Sequence, residues 1–314
     1  MPERVYCSDL CLASGEPLLG TAGQVDAWLM LEYKPVWRAK ATDDNDLDAP
    51  VKAWLERTVA AYAAKGLKAR PQFIRRPEPS AGEREGLAPR KKEPSAGERP
   101  RREAAGGGIA PRREELDTTD VSLFVGTDGE LRHFRGDYAT IATLNPLDPH
   151  NGFARTQEPH YFVCTNGQRD LCCARYGLPV YARLRELAGG RVWQTTHVGG
   201  HRFAPNVLAL PQGALYGRVF ADDVDAFFAT VEDGELALPH LRGRASFPPA
   251  AQVAETLIDG ARALRAIDGD RVTFETPAGT RSVSVREADS AFEVIASCGK
   301  TETETVFPWV AASQ

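Results

Sequence analysis

The sequence predicts a mixed α/β protein in which strands and helices alternate in two successive halves, followed by a small antiparallel β unit. Three observations support this class: short apolar runs bounded by turn residues, amphipathic segments that end at glycine, and one strand–helix–strand–hairpin order that occurs twice. The chain has 314 residues, more than a typical domain of about 100 to 200. We therefore expect two main domains before the C-terminal unit.

The first half contains a predicted strand over 26–33, a helix over 48–66 and a second strand over 68–76. Two further runs over 121–136 meet at Asp128-Gly129, a residue pair typical of β-hairpins. A short helix is predicted over 137–144. Because this is also the order of elements in a thioredoxin-like domain, we predict such a domain for residues 1–145.

A segment over 75–113 interrupts this first domain. It is rich in Pro, Gly, Arg and Glu, contains EPSAGER twice, and carries eleven basic and six acidic residues. With so few large apolar side chains it cannot bury enough surface to order itself. We interpret it as a peripheral disordered insertion, with a docking arm for an acidic partner as the alternative.

The second half repeats the order, with a strand over 159–164, a helix over 174–187, a strand over 191–196 and a hairpin around Gln212-Gly213. A second thioredoxin-like domain is therefore predicted for residues 146–245. The remaining residues, 246–314, are predicted to form a helix and a small antiparallel unit. Their helix is placed at 249–266 and their four strands at 271–276, 280–287, 291–298 and 304–310.

Composition excludes several functional classes. The net charge of −5 does not fit a dedicated nucleic-acid binder, which normally carries a strongly basic surface. No window approaches the roughly 18 apolar residues of a membrane span, and no signal peptide is visible, so we expect a cytoplasmic protein. Six cysteines in a reducing compartment are more typical of metal or redox sites than of a disulfide framework.

Five ligand-type residues gather in two short stretches of the second half. CTNGQRDLCC contains Cys164, Cys172 and Cys173, and HVGGH contains His197 and His201. The first stretch spans a strand-to-helix loop and the second follows a strand, so the two can meet at one edge of the sheet. Such a concentration of ligand chemistry in loops indicates a functional site rather than a packing requirement.

Several kinds of site suit this set. A zinc site of two cysteines and two histidines is chemically sound, but structural zinc usually takes its cysteines two to four residues apart. The adjacent pair Cys172-Cys173 lacks the C-x-x-C spacing of a thioredoxin-type dithiol. A 2Fe-2S cluster fits the spacing better, because its two irons spread four ligands over a wider span.

The stretches CTNGQRDLCCARYGLPVY and VWQTTHVGGHRFAPNVLALPQGALYGRV closely resemble the signature of the sucrase/ferredoxin-like family, which is grouped with thioredoxin-like 2Fe-2S ferredoxins. GEPLLGTA and WLMLEYKPVW resemble that family's opening segment. Carried over by position, the resemblance implies Cys164, Cys173, His197 and His201 as cluster ligands. Cys172 would be a bystander or a substitute ligand.

The implied function is electron transfer rather than catalysis on a substrate of the protein's own, since no acidic pair for glycoside hydrolysis is evident. Electrons would come from a separate reductase and pass to an acceptor protein; neither is identified by the sequence. Two alternatives remain: a redox or iron-sulfur sensor acting through a partner, and a zinc-stabilised binding module. Absorption separates zinc from iron, because zinc proteins are colourless.

Other residues are expected to tune the site or to lie outside it. Backbone amides near Gly199 and Gly200 are expected to donate to cluster sulfides, and Arg202 to offset the added electron or meet an acidic partner. Cys7 and Cys11 form a C-x3-C expected in the opposite domain, as surface or buried thiols, with a metal or redox role as the alternative. Cys298 is interpreted as a core residue.

Overall fold

A ten-stranded mixed sheet runs through both halves of the chain in the computed structural model, which describes residues 5–77, 119–148 and 152–312. The mixed α/β class is therefore confirmed. The first half supplies β1 (Ala27–Glu32), α2 (Ala49–Ala63), β2 (Ala69–Arg75), β3 (Val121–Thr127), β4 (Glu130–Gly136) and α3 (Tyr138–Ile141). The second half supplies β5 (Ala154–Thr156), β6 (His160–Cys164), α4 (Leu171–Ala188), β7 (Val192–Thr195), β8 (Val207–Leu210), β9 (Ala214–Tyr216), α5 (Val224–Glu232) and β10 (Leu241–Arg244).

The strand order is the same in both halves. The sheet runs β10-β9-β8-β6-β7-β2-β1-β3-β4-β5, with β1 parallel to β2 and β6 parallel to β7. Each parallel pair is followed by an antiparallel hairpin, and the two predicted turns, at Asp128-Gly129 and Gln212-Gly213, are confirmed. The halves join where β2 and β7 pair antiparallel, with Ile74 opposite Thr195.

Both faces of this sheet are buried, which explains the unbroken apolar run of β1. Leu29 and Leu31 point into a core shared with α2, whereas Trp28 and Met30 point into a core common to both halves. In that common core, the rings of Phe124 and Trp193 lie 5.4 Å apart. A strand buried on both sides loses the apolar–polar alternation of a surface strand.

The predicted small antiparallel C-terminal unit is confirmed, with different boundaries. It contains α6 (Pro249–Thr256) and a four-stranded sheet of β11 (Ala263–Asp268), β12 (Arg271–Thr276), β13 (Gly279–Glu287) and β16 (Trp309–Ala311). The strands β14 (Phe292–Val294) and β15 (Glu304–Val306) form a separate pair. The predicted helix over 249–266 was wrong at its end, because the helix stops at Thr256 and Gly260, in a left-handed conformation (φ +68°), then turns the chain into β11.

An N-terminal helix, α1 (Cys7–Ser14), was not predicted. Cys7 and Cys11 lie one turn apart on its buried face. The helix packs against residues 201–203 of the second half and against β14, so the expectation that these cysteines lie in the opposite domain was wrong. Position along the chain therefore did not indicate which half α1 packs against.

The predicted insertion over 75–113 begins with Arg75, which is the last residue of β2. From residue 78 onward the insertion lies outside the described residues. Within the described ranges, none of the helices has the length and apolar character needed to cross a bilayer.

Candidate metal centre

Cys164 is placed by the end of β6 and by an unusually close helix. It is the last residue of the strand, and its side chain is 1% exposed. Gly177 of α4 lies directly above it, since a Cβ at this glycine would be 2.3 Å from the Cys164 carbonyl oxygen. Only glycine therefore lets the helix approach this strand end.

Cys173 is placed by the first turn of α4. Asp170 caps the helix by accepting a hydrogen bond from the Cys172 amide at 3.0 Å. Burial opposes ionisation of Asp170, but bonds from the backbone amides of Cys172 and Cys298 outweigh it, and the pKa is lowered. The cap fixes the turn so that Cys172 and Cys173 are both buried and face different neighbours.

Three of the four predicted ligands meet at one point. The His197 Nδ1 lies 3.9 Å from the Cys164 Sγ and 3.8 Å from the Cys173 Sγ. The hydrogen bond from the Cys173 thiol, together with His197, lowers the pKa of Cys164, while the same bond raises the pKa of Cys173. One ligand atom from each residue lies within 4.8 Å of the others, which is close enough to share a metal. We call Cys164, Cys173 and His197 the first group.

His201 lies beside the first group without joining its tight triangle. Its ring centroid is 4.7 Å from that of His197, and its Nε2 is 3.8 Å from the Asp170 Oδ2. Its buried Nδ1 has no hydrogen-bond partner within the described residues. Burial and the neighbouring His197 lower the pKa of His201 to about 4, so the ring is neutral near pH 7 and keeps a lone pair for a ligand.

Two arginines that the sequence did not single out form hydrogen bonds to the loop over 197–201, which we call the histidine loop. Arg70 donates to the carbonyls of His197 and Val198 at 2.8 and 2.9 Å. The fully buried Arg242 donates to the Gly199 carbonyl at 2.9 Å. Burial lowers the pKa of Arg242 to about 9. These cations come from distant strands, so no local pattern connects them to the site.

The Gly199-Gly200 pair makes room for one of these cations. Both glycines have positive φ, and a Cβ at Gly200 would lie 2.4 Å from a guanidinium nitrogen of Arg242. The predicted amide bonds from these glycines to cluster sulfides remain a prediction. In this structure, glycine is required at these positions by the left-handed backbone and by the close approach of Arg242.

Arg202 does not reach the first group in the manner expected. Its guanidinium forms two bonds, of 2.8 and 2.7 Å, with the buried carboxylate of Glu16. Its charge is therefore already balanced, and it is only 17% exposed. This ion pair connects the histidine loop to the segment after α1. Because Arg202 is already paired and mostly buried, it is poorly placed to attract an acidic partner.

Cys172, considered above as a substitute ligand, points elsewhere. Its Sγ lies 3.5 Å from that of Cys7 and 3.2 Å from that of Cys298. Together with Asp170 these cysteines form a second group, whose ligand atoms also lie within 4.8 Å of one another. The adjacent cysteines at the start of α4 thus serve two different clusters, a distribution that the sequence does not reveal.

One face of the first group borders a solvent-accessible cleft of about 320 Å³. His197 lines it, together with Lys40, Arg70 and Arg169. Asp43 is the single acidic residue among those described there. The half-buried His197 is thus the ligand-type residue through which this group meets solvent.

Comparison with known proteins identifies relatives by sequence. Residues 18–243 match the model of the family described as "Sucrase/ferredoxin-like". Over 93 residues the chain is 34% identical to a protein named "Altered inheritance of mitochondria protein 32" from Meyerozyma guilliermondii, a match that covers 26% of this chain and 33% of that protein. The chain thus spans about a third of that relative. No solved structure matches.

Proposed function

Because the chain belongs to the sucrase/ferredoxin-like family, we propose that it is an electron-transfer protein whose 2Fe-2S cluster is bound by Cys164, Cys173, His197 and His201. The observation that carries this proposal is the convergence of two buried thiols and the His197 Nδ1, with the unpartnered Nδ1 of His201 beside them. Two irons spread their ligands more widely than one ion does, which suits a fourth ligand placed outside the tight triangle.

The proposal of thioredoxin-like halves is supported by topology. The strand order is β2-β1-β3-β4 in the first half and β7-β6-β8-β9 in the second. In each half a helix connects the two parallel strands and a hairpin follows them. Both halves share one sheet, so we propose two thioredoxin-like repeats fused at β2 and β7 rather than two separate bodies.

A bound 2Fe-2S cluster would accept and release one electron at a time. Two neutral imidazoles in place of two thiolates make the site less negative, so we expect a potential well above the roughly −400 mV of plant-type ferredoxins, in the Rieske range of about −150 to +300 mV. Cys164 and Cys173 provide the anionic ligands, and the surrounding core excludes water from them.

The two histidines have different proton environments. Asp170 lies 3.8 Å from the His201 Nε2, so its negative charge favours the proton at that nitrogen and the lone pair at Nδ1. His197 borders the open cleft. Because reduction adds negative charge at the site, we expect proton uptake to accompany it, so that the potential falls as pH rises.

The cleft is the proposed entry point for electrons. Its rim carries Lys40 and Arg169 beside His197, with only Asp43 opposing them in the described structure. A donor protein with an acidic surface would be attracted to this rim, more strongly at low ionic strength. The reductase and the acceptor are proposed by class only.

A zinc-stabilised module is the second candidate. The specific observation in its favour is that the ligand atoms of Cys164, Cys173 and His197 lie within 4.8 Å of one another, a separation that one ion can bridge. The His201 Nδ1 would then complete a site of two cysteines and two histidines.

One experiment separates these functions. The full chain is purified without oxygen, and its absorption, EPR spectrum, iron, sulfide and zinc are measured on the same sample. We expect a red-brown protein with about two irons and two sulfides, EPR-silent until reduced. A colourless protein that contains zinc and stays iron-free after attempted reconstitution would contradict electron transfer.

A further inference from the structure

Four ligand-type side chains form a compact group outside the proposed cluster site. The second group consists of Cys7, Cys172, Cys298 and Asp170. Cys7, Cys172 and Asp170 are nearly inaccessible, at 1%, 0% and 4% exposure, and Cys298 is partly buried. Ionisation of any one thiol would add negative charge beside the buried Asp170, and a bound cation would offset that charge.

The sulfurs lie within 0.6 Å of the separations expected for ligands around one tetrahedral ion, always on the short side. The three Sγ–Sγ distances are 3.2, 3.5 and 3.7 Å. Around Zn²⁺ with Zn–S bonds of about 2.3 Å, the edge of a regular tetrahedron is about 3.8 Å. The Asp170 Oδ1 lies 3.8 Å from the Cys7 Sγ, close to the roughly 3.5 Å expected between sulfur and oxygen ligands.

Both oxygens of Asp170 lie near Cys7, with Oδ1 at 3.8 Å and Oδ2 at 3.9 Å from its Sγ. Oδ1 also accepts the Cys172 amide, whereas Oδ2 accepts the Cys298 amide at 2.8 Å and lies 3.8 Å from the Nε2 of His201. One oxygen of this carboxylate can therefore bind a metal while the other faces His201, which lies beside the first group. Since Cys172 and Cys173 point into different groups, the two sites do not compete for a sulfur.

Nearby donors favour the thiolate of Cys172 most clearly, since hydrogen bonds to its sulfur, first from Cys7 and then from Ser8, lower its pKa to about 6. Cys7 is the first residue of α1, and Cys172 lies in the first turn of α4, where helix amides make the potential positive. The Ser8 hydroxyl donates to the Cys172 Sγ at 3.2 Å, and the Cys7 amide donates to the Cys298 Sγ at 3.5 Å. Such outer contacts to ligand sulfurs are typical of thiolate metal sites.

We propose that Cys7, Cys172, Cys298 and Asp170 form a structural zinc site, distinct from the proposed cluster site. Zinc binding would displace the thiol protons and join α1, the start of α4 and the loop after β14. These segments are remote in sequence, with 291 residues separating Cys7 from Cys298. The ion would thereby fix the cap of the helix that carries Cys173.

A zinc ion explains the group better than a disulfide. A bond between Cys172 and Cys298 would use two sulfurs, leave the third thiol and Asp170 buried beside it, and require an oxidant. Zinc uses all four side chains at once. It also explains why three thiols from different segments lie at comparable distances from one another.

The test measures zinc bound to the full chain prepared under reducing conditions. Zinc is assayed after dialysis in the wild type, Cys298→Ser, Cys164→Ser and Cys11→Ser. We expect about one equivalent of Zn²⁺ in all except Cys298→Ser, where the metal is lost. Cys11→Ser is the matched control, because Cys11 is equally buried on α1 but contacts Glu16 at 3.0 Å instead of the second group.

Cobalt provides a readout of the coordination. Co²⁺ added to metal-free Cys164→Ser should give the visible bands of a tetrahedral, thiolate-rich site, and further substitution of Cys7 by Ser should remove them. Cys298→His retains a ligand atom and should restore zinc binding with weaker affinity, which separates ligand loss from misfolding.

Three outcomes would overturn the zinc site. They are a wild type without zinc, zinc retained in Cys298→Ser, or a Cys172–Cys298 disulfide in protein taken directly from a reducing cytosol. Loss of zinc in Cys164→Ser alone would also overturn it, by moving the metal to the first group. Because Cys298 lies outside that group, failure here is distinguishable from failure of the electron-transfer proposal.

Discussion

The two halves have the same strand order, but only the second has cysteines and histidines at its parallel strand ends. β1 ends at Glu32, whereas β6 ends at Cys164. The Glu32 carboxylate already accepts a hydrogen bond from the Ser122 amide, at 3.0 Å. The same position in the fold is thus used for a structural bond in one half and for a candidate ligand in the other.

The helices after these strands differ in the same way. Counted from the caps Asp48 and Asp170, Val51 corresponds to Cys173 and Leu55 to Gly177. Val51 and Leu55 are core residues of the first half. In the second half a candidate ligand and a glycine stand in their places, so α4 lies close enough to bring Cys173 towards Cys164.

The connections that follow β2 and β7 differ as well. In register, Ile74 corresponds to Thr195, so Arg76 stands where the second half has His197. Arg76 instead lies over the Trp193 ring, 3.9 Å from its centroid. The two halves therefore share a backbone arrangement that provides a place for a site. The chemistry at that place depends on a few residues at strand ends and helix starts.

The largest expected effect comes from making the second half resemble the first at the ligand position. Cys173→Val should reduce bound iron from about two atoms per chain to nearly none, because a thiolate ligand is removed. Iron and sulfide assays measure this loss. The mirror change Val51→Cys should leave iron unchanged, and iron retained in Cys173→Val would remove this residue from the site.

Exchanging a histidine for a thiolate should change the potential rather than the occupancy. His201→Cys adds negative charge at the metal, and we expect the potential to fall by roughly 100 to 300 mV. Protein-film voltammetry on His201→Cys measures it, with His240→Gln as a control, since His240 bonds to the Arg218 carbonyl away from the first group. An unchanged potential would show that His201 is not a ligand.

Adding a methyl group at the helix–strand contact should destabilise the second half. In Gly177→Ala, the new Cβ would meet the Cys164 carbonyl at 2.3 Å, so backbone must move. We expect the free energy of unfolding to fall by about 1–3 kcal/mol in urea denaturation. Gly23→Ala is the control, because a Cβ there meets nothing within 4 Å. A more stable Gly177→Ala, as helix propensity alone predicts, would contradict this close contact.

The last effect is confined to the pH dependence of stability and concerns a cross-strand pair that differs between the halves. His133 faces Phe124 where Leu215 faces Leu208. Burial, then the charges of His160 and nearby arginines, lower the pKa of His133 to about 4. The unfolded chain takes up this proton near pH 6.5 and the folded chain only near 4, so up to roughly 3 kcal/mol of stability is lost as pH falls through that window.

Replacing His133 by Leu should flatten this dependence. Chemical denaturation of wild type and His133→Leu at pH 7 and pH 5 measures the difference. His160 should leave a residual slope in the variant, since burial also lowers its pKa. Equal loss of stability in both proteins would show that His133 does not titrate in this way.

Local patterns predicted most of the elements. The turn pairs, the periodicity of α2 and α4 and the apolar strands each depend on residues within one short segment. α1 was missed because its eight residues carry no strong amphipathic pattern, and its helical form depends on packing against the second half. The first four residues of β11 were included in a predicted helix because alanine, leucine and arginine favour a helix in isolation, and the pairing with β12 overrides that preference.

The sequence by itself determined the mixed α/β class, the repeated order of elements and the two stretches that bring Cys164, Cys173 and His197 together. Local spacing suffices for these because strand, loop and helix follow one another directly. Only the tertiary structure decided that both halves share one sheet, that Arg242 lies beneath the histidine loop, and that Cys172 joins Cys7 and Cys298. These contacts link segments up to 291 residues apart, and long-range packing rather than local propensity determines which of them meet.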